Sequence, residues 1–442
     1  MSIVTQVTGL LQGLLEESMD VLARETGCVK RERKFSGSTL LSTLVLSILR
    51  NPTSKPQDYQ TTAAQLGVDV TENAILQRFT PELVKFLEAA IKPVLSHVLT
   101  TAAPPVELLG RFPEVVIGDS TTVTLPDEYA EQFPGCGGGH GGGKAAMKIQ
   151  VRWELRHGRL AILLEPGRAS DAKSPITELP LPAGSLSIFD LGYFSLERFD
   201  RVGRGEGYWL SRLQHGTMVY DARGNPVTLR KFLAKNARRG VVDVPVQLGD
   251  KRLPCRLVAV RVAPEIAARR RQKVREKARD HGREPSQEYL ALQEWTIFVT
   301  NCSPSLLSWK EVVVLYRARW QIERLFKLWK SYNHLADRDA EAPAVRQVAE
   351  VYARLIAVII QHSILLMTVW LVEQRSLWRA AARLRNWIGQ LIGAIDDTAK
   401  LQQVLDRQRQ FVAKSARVNS RRKHPSCSQL LNNPELLEYT VA

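Results

Sequence analysis

The spacing of apolar positions divides the chain into segments of different period. Leu10 to Leu22, Leu40 to Leu49 and Leu83 to Leu99 carry apolar residues at helical spacing, so residues 1 to about 105 are expected to be all-helical. Short apolar runs follow, each ending in an acid: Val115-Val116-Ile117-Gly118-Asp119 and Ser187-Ile188-Phe189-Asp190. Both read as buried strands that leave the sheet at the aspartate. Between them, Met147–Leu155 and Arg159–Glu165 flank Arg156-His157-Gly158, the pattern of a hairpin with a glycine turn. A short helix is expected before the Asp190 strand, and Tyr208–Leu213 reads as a fifth strand. Residues 215–288 alternate apolar runs with turns such as Arg223-Gly224-Asn225, which predicts a β-rich insertion ending in a charged helix, Ile266 to Arg283. Glu294–Thr300 returns as a strand, and Tyr316–Lys330 reads as one amphipathic helix burying Ile322, Leu325, Phe326 and Trp329. Leu355–Val372 is apolar on all sides apart from Gln361, His362 and Ser363, and residues from 374 onward are helical. The expected class is α/β: a core at 106–214 and 289–373, interrupted by the 215–288 insertion, with helical regions at 1–105 and 374–442.

Composition narrows the partners. The chain has 442 residues, 44% of them hydrophobic, enough for real cores, and a net charge of +16. That charge suits a polyanion, through phosphate neutralisation and counterion release. The five cysteines are scattered and lack metal-type spacing, which points to a reducing cytosol. The N-terminus lacks a signal-peptide pattern. The Leu355–Val372 run is nearly long enough to span a bilayer but is interrupted at its centre, so it is expected as a buried core helix, with no membrane partner. Pro134–Gly143 holds seven glycines without the Gly-Lys-Ser/Thr ending of a nucleotide-binding loop, and reads as a flexible loop. Thr101–Pro113 reads as a linker, and Arg417–Lys423 as a basic stretch. Residues 62–79 fit a helix-turn-helix with Gly67 in the turn, Thr71 as cap and Arg78 as a DNA contact, although many helical hairpins share the pattern.

The candidate chemistry sits on the Tyr316–Lys330 helix. Tyr316, Arg319, Glu323 and Lys330 form a narrow stripe beside its apolar face. A carboxylate between cations can ligate a divalent ion while arginine and lysine hold phosphate oxygens. The same spacing also fits a surface helix with ordinary ion pairs such as Arg319 to Glu323. Asp119 and Asp190, each read alone, are equally turn or cap residues closing a strand.

Together the residues resemble a known signature. Tyr316, two residues, Arg319, three residues, Glu323, six residues, Lys330 is similar to the Tyr-Arg-Glu-Lys signature of DDE transposases of bacterial insertion sequences, with Trp320, Phe326 and Lys327 in family-like places. The Asp119-Ser-Thr and Asp190-Leu-Gly-Tyr contexts resemble those of the family's two aspartates. The resemblance implies an RNase H-like catalytic core with a mixed five-stranded sheet, and Asp119, Asp190 and Glu323 as a triad binding two Mg²⁺ ions, with Mn²⁺ as substitute. It implies Arg319, Lys330, Lys327 and Tyr316 as phosphate or DNA contacts, with Arg212 at the end of the fifth strand a further candidate. Trp295 matches by position a tryptophan that stacks on a flipped base in relatives; the competing reading is a strand tryptophan packed in a core. The implied partners are terminal inverted repeats, target DNA and a second copy in the synaptic complex, in the bacterial cytoplasm at the nucleoid. A non-catalytic regulator of transposition and another RNase H-like nuclease remain as alternative functions.

Overall fold

The computed structural model describes residues 2–31, 33–96, 106–137, 143–370, 375–419 and 425–437. Parts of the expected linker, the glycine loop, the basic stretch and the ends of the runs at Leu99 and Val372 lie outside these residues. One nine-stranded sheet forms the frame, in the order β3-β2-β1-β4-β5-β9-β8-β7-β6. Its strands are β1 Val115–Leu125, β2 Ala145–Glu154, β3 Leu160–Pro166, β4 Leu186–Phe189, β5 Tyr208–Arg212, β6 Val219–Tyr220, β7 Val241–Leu248, β8 Leu253–Arg261 and β9 Trp295–Thr300. β1, β4 and β5 are parallel neighbours; β2 and β3 run antiparallel on one side of them. This is the mixed five-stranded arrangement expected of an RNase H-like core. The insertion strands extend the same sheet, because β9 pairs antiparallel with both β5 and β8.

Three local expectations are corrected. β1 does not end at Asp119 but runs on to Leu125, since β2 pairs with it along its whole later length. Only its pairing with β4 stops early, at Ile117↔Ile188. In place of a short helix before β4 there are two 3₁₀ turns, Asp171–Lys173 and Pro175–Glu178, the second opened by Pro175. The predicted single helix over 316–330 is three pieces. The backbone tightens around Arg319, where Arg319 N bonds Tyr316 O and Ile322 N bonds Arg319 O, and widens into a π turn at Leu328–Tyr332.

The helices fall into three groups along the chain. The N-terminal ones are α1 Ile3–Gly13, α2 Glu17–Glu25, α3 Gly37–Arg50, α4 Pro56–Gln65, α5 Glu72–Leu76, α6 Pro81–Ser96 and the single turn α7 Glu107–Gly110. Within the chain's middle lie α8 Leu196–Arg204, α9 Leu229–Asn236, α10 Pro264–Asp280, α11 Gln287–Leu292, α12 Trp309–Ala318 and α13 Trp320–Lys327. Then follow α14 Ala344–Val369, α15 Leu377–Arg385, α16 Ile388–Ile392, α17 Thr398–Ser415 and α18 Cys427–Asn432. The α4-turn-α5 segment has Gly67 at positive φ and the Thr71 hydroxyl capping α5, as expected, but α5 is only five residues long.

α14 is the centre of the packing. It is long and apolar enough to cross a membrane, yet is buried along its length against α1, α3, α6, α15 and α17. Its polar interruption is bonded into the core, apart from His362 Nδ1, which is buried without a partner. Gln361 exchanges hydrogen bonds with Asn333, the His362 Nε2 bonds Gly158 O at 2.7 Å, and the Ser363 hydroxyl donates to Ile359 O. These bonds satisfy groups that would otherwise cost about 1–3 kcal/mol each when buried.

Candidate active site

Strand alternation decides which side chains meet. Val115, Ile117, Leu186, Ile188, Leu210 and Phe298 all enter the main core, on the sheet face covered by α12 to α14. Phe189, Trp209, Trp295 and Val299 enter a second core on the opposite face. The β1–β4–β5 ladder pairs Ile117 with Ile188 and Ile188 with Leu210. Two residues further along each strand stand Asp119, Asp190 and Arg212, so they form one row on the main-core face, with Phe298 paired to Arg212. The row lies where β4 ends, at the carboxyl ends of the parallel strands.

α12 and α13 bring the remaining residues over this row. The Ser308 capping box starts α12, and Tyr316 lies against Phe298, ring centroids 5.1 Å apart. Ile322, Leu325, Phe326 and Trp329 are buried, as the helical spacing predicted. That burial turns Glu323 and Arg319 toward the two aspartates. Arg319, itself buried, reaches all three carboxylates. Its Nη1 is 3.3 Å from Asp119 Oδ2, its Nη2 2.7 Å from Glu323 Oε1, and its Nε 3.5 Å from Asp190 Oδ1. The last is an ion-pair distance without hydrogen-bond alignment, which leaves Nε unsatisfied. The Tyr316 hydroxyl makes a long hydrogen bond, 3.5 Å, to Asp190 Oδ1.

The electrostatics follow from crowding. Burial pushes the Asp119 carboxyl up to about 6; the Asp190 and Glu323 charges add to this, against the Ser120 amide and Arg319. Burial opposes the charge on Arg319, but Asp190, Tyr316 and Glu323 outweigh it and raise its pKa. Burial also raises the Tyr316 hydroxyl, helped by Asp190, so it remains a donor.

The other predicted residues are placed as follows. Lys330 donates to Thr122 O at 2.7 Å, on the part of β1 just beyond Asp119, and burial lowers its pKa. Lys327 is exposed one turn past Glu323. Arg212 occupies the row beside Asp190, with its Nε buried and unpartnered. Trp295 is not brought to the triad face. It is buried in the second core, under the Arg261 guanidinium, with its indole N–H donating to Glu294. Arg78 lies over the Phe35 ring in the N-terminal helices.

Three carboxylates with oxygen donors alone suit a hard divalent ion, and the raised Asp119 carboxyl marks a site that favours added positive charge. The carboxylates converge on the Arg319 guanidinium; among the described residues no three ligand side chains are already closed to coordination spacing. The donor chemistry fits Mg²⁺ or Mn²⁺, provided Arg319 gives way. Sequence reasoning placed Trp320 in the signature without giving it a role; it is 59% exposed, next to Arg319 in the chain and off the helix's apolar face. One feature was missed. A buried polar network under the aspartates was signalled only by Lys148 and Gln150 alternating with apolar β2 residues.

Residues 110–360 match the family described as Transposase DDE domain. The transposase for insertion sequence element IS231F of Bacillus thuringiensis subsp. israelensis is 29% identical over 430 residues, covering 91% of this chain and 89% of that protein. The IS231E transposase of Bacillus thuringiensis subsp. finitimus is 28% identical over 463 aligned positions, covering 98% and 95%. The IS1151 transposase of Clostridium perfringens is 26% identical over 314, covering 66% of each.

Proposed function

The chain belongs to the DDE transposase family, and from that premise we propose that it is the transposase of an insertion sequence, in the Tyr-Arg-Glu-Lys branch. It binds the element's terminal inverted repeats, cleaves DNA at the ends and joins the 3′-hydroxyls to target DNA, working as a pair of chains in the synapse. The observation that carries this reading is the convergence of Asp119, Asp190 and Glu323 on one point at the carboxyl ends of the parallel strands.

Asp119, Asp190 and Glu323 would hold two Mg²⁺ ions. When bound, such ions activate the attacking oxygen and stabilise the leaving oxygen of an in-line displacement. The protein's own contribution is orientation and charge. Arg319 and Lys330 bind oxygens of the phosphate being cut or of its neighbours. Arg212, in the same row as both aspartates, extends that cationic rim, and exposed Lys327 continues it along α13. The Tyr316 hydroxyl donates to Asp190 Oδ1 and so orients that carboxylate. Burial of Arg319 and Tyr316 keeps bulk water from the inner side of the site and strengthens these contacts.

The test is cleavage and joining of DNA carrying the element's ends in Mg²⁺. Wild type should cut and join, whereas Glu323→Ala should fall to the level seen without metal while still binding the ends. Cleavage that persists in Glu323→Ala would place the chemistry elsewhere. End binding without cleavage by the wild type would favour a regulator of transposition.

A further inference from the structure

A chain of buried and half-buried polar side chains runs beneath both aspartates, on the sheet face opposite Glu323. Tyr193 closes the 3₁₀ turn Leu191–Tyr193 that follows Asp190, and is 2% exposed. Its hydroxyl donates to Gln150 Oε1 at 2.5 Å. Gln150, fully buried in β2, donates in turn to Asp171 Oδ1 at 2.9 Å. Asp171 also pairs with Lys148 Nζ at 3.2 Å. Behind Tyr193, the Arg198 Nη1 donates to the Tyr193 carbonyl at 2.7 Å.

The network adds a side-chain link just beyond the last backbone pair between β1 and β4. The β1–β4 ladder ends at Ile117↔Ile188, so no backbone pairing ties Asp190 to the strand carrying Asp119. Gln150 is the ladder partner of Ser120, whose amide donates to Asp119 Oδ1 at 2.8 Å. Burial, with the Asp171 and Asp119 charges, holds the Tyr193 hydroxyl far above its ordinary pKa, so it stays a donor. A phenylalanine would fill the same space; the hydroxyl adds the bond to Gln150 and an interaction with the Ser120 side chain.

We propose that Tyr193 is a positioning residue: its bond to Gln150 ties the Asp190 turn to the β1–β2 pair and sets the separation of Asp119 and Asp190 for divalent ions. This rests on the two-ion reading above. Groups hydrogen-bonded to a metal ligand typically change metal affinity 10–100-fold when removed, and Tyr193, one step further back, is expected at the low end of that range.

The experiment is titration of free Mn²⁺ by electron paramagnetic resonance on the full chain, alongside the Mg²⁺ dependence of end cleavage and thermal melting. Tyr193→Phe should weaken Mn²⁺ binding by about tenfold and raise the Mg²⁺ needed for half-maximal cleavage by a similar factor. Cleavage at saturating ion should stay near wild type. Combining Tyr193→Phe with Gln150→Leu removes both ends of the bond and leaves no orphaned Gln150 oxygen, while Asp171 Oδ1 loses its Gln150 donor and keeps Lys148. It should recover melting temperature but not Mn²⁺ affinity. Wild-type affinity in Tyr193→Phe, or affinity recovered together with stability in the double variant, would overturn the proposal. Asp119→Ala serves as reference. Wild type binding Mn²⁺ no better than Asp119→Ala would instead overturn the two-ion reading on which the inference stands.

Discussion

At the scale of single residues, Arg319 is the most informative side chain in the molecule. Its spacing to Glu323 was legible in the sequence as an ordinary helical pair. Its contacts with Asp119 and Asp190, 200 and 129 residues away, were not, because they depend on where two strands end. The guanidinium neutralises carboxylates that would otherwise repel one another, and on the proposed two-ion reading it does so in the space the ions would take. Arg319→Ala should therefore cost about 1–3 kcal/mol without metal, discounted for the partial exposure of the carboxylates. It should also give a larger Mn²⁺-induced rise in melting temperature than wild type, because the ion no longer competes with the guanidinium. Strand cleavage should fall all the same, through loss of a phosphate contact. A smaller Mn²⁺-induced rise in the variant would show that Arg319 does not compete for the site. Trp295 carries the complementary lesson. Its position along the chain was readable, but which sheet face it occupies follows from the register that pairs it with Arg261.

Among elements, the β2–β3 hairpin and α14 show how a turn residue and a core helix constrain each other. Gly158 was expected as a turn glycine, and its φ of +78° bears that out. The sequence did not show that a Cβ there would come within 2.2 Å of Leu366 and 3.1 Å of Trp370. Gly158→Ala should destabilise the protein by about 1–3 kcal/mol, through positive φ and overpacking together; thermal or urea unfolding measures it. A wild-type midpoint would show that the hairpin moves away from α14 at little cost. Against the same turn sits His362, whose pKa burial lowers to about 4, partly offset by its bond to Gly158 O. The unfolded chain takes up a proton near pH 6.5 while the folded chain does not, so His362 makes stability fall as pH drops from about 6.5 toward 4. His362→Gln keeps a donor for Gly158 O but cannot titrate. The difference in unfolding free energy between pH 7 and pH 4.5 should be smaller in the variant than in wild type, by a few kcal/mol at most. An unchanged difference would mean that His362 ionises freely in the folded protein.

On the scale of the whole molecule, the N-terminal helices, the sheet's main face and the C-terminal helices share one hydrophobic core built on α14. The chain carries a net charge of +16. α10 illustrates the division of labour. Arg270 donates to Trp295 O and Thr296, and Arg271 to Leu290 O, fastening the helix to β9 and α11. Arg269, Lys273 and Lys277, one helical turn apart in succession, are exposed. Replacing these three with alanine should weaken binding to duplex DNA of any sequence. The slope of log K against log salt should fall in magnitude by up to about 3, with the fold unchanged; an unaltered slope would assign α10 to a solvated surface. The sequence by itself determined the order of the core strands, the buried face of the helix carrying Glu323 and the identity of the acidic and basic residues. Hydrophobic period and residue chemistry act within short windows, and there the chain reports them directly. Only the tertiary structure decided that β1 continues past Asp119, that the insertion joins the core sheet, that the long helix breaks at Arg319, and that Tyr193 reaches Gln150. Each of those depends on register and close packing between segments far apart in the chain, where a shift of one residue turns a side chain to the other face of the sheet.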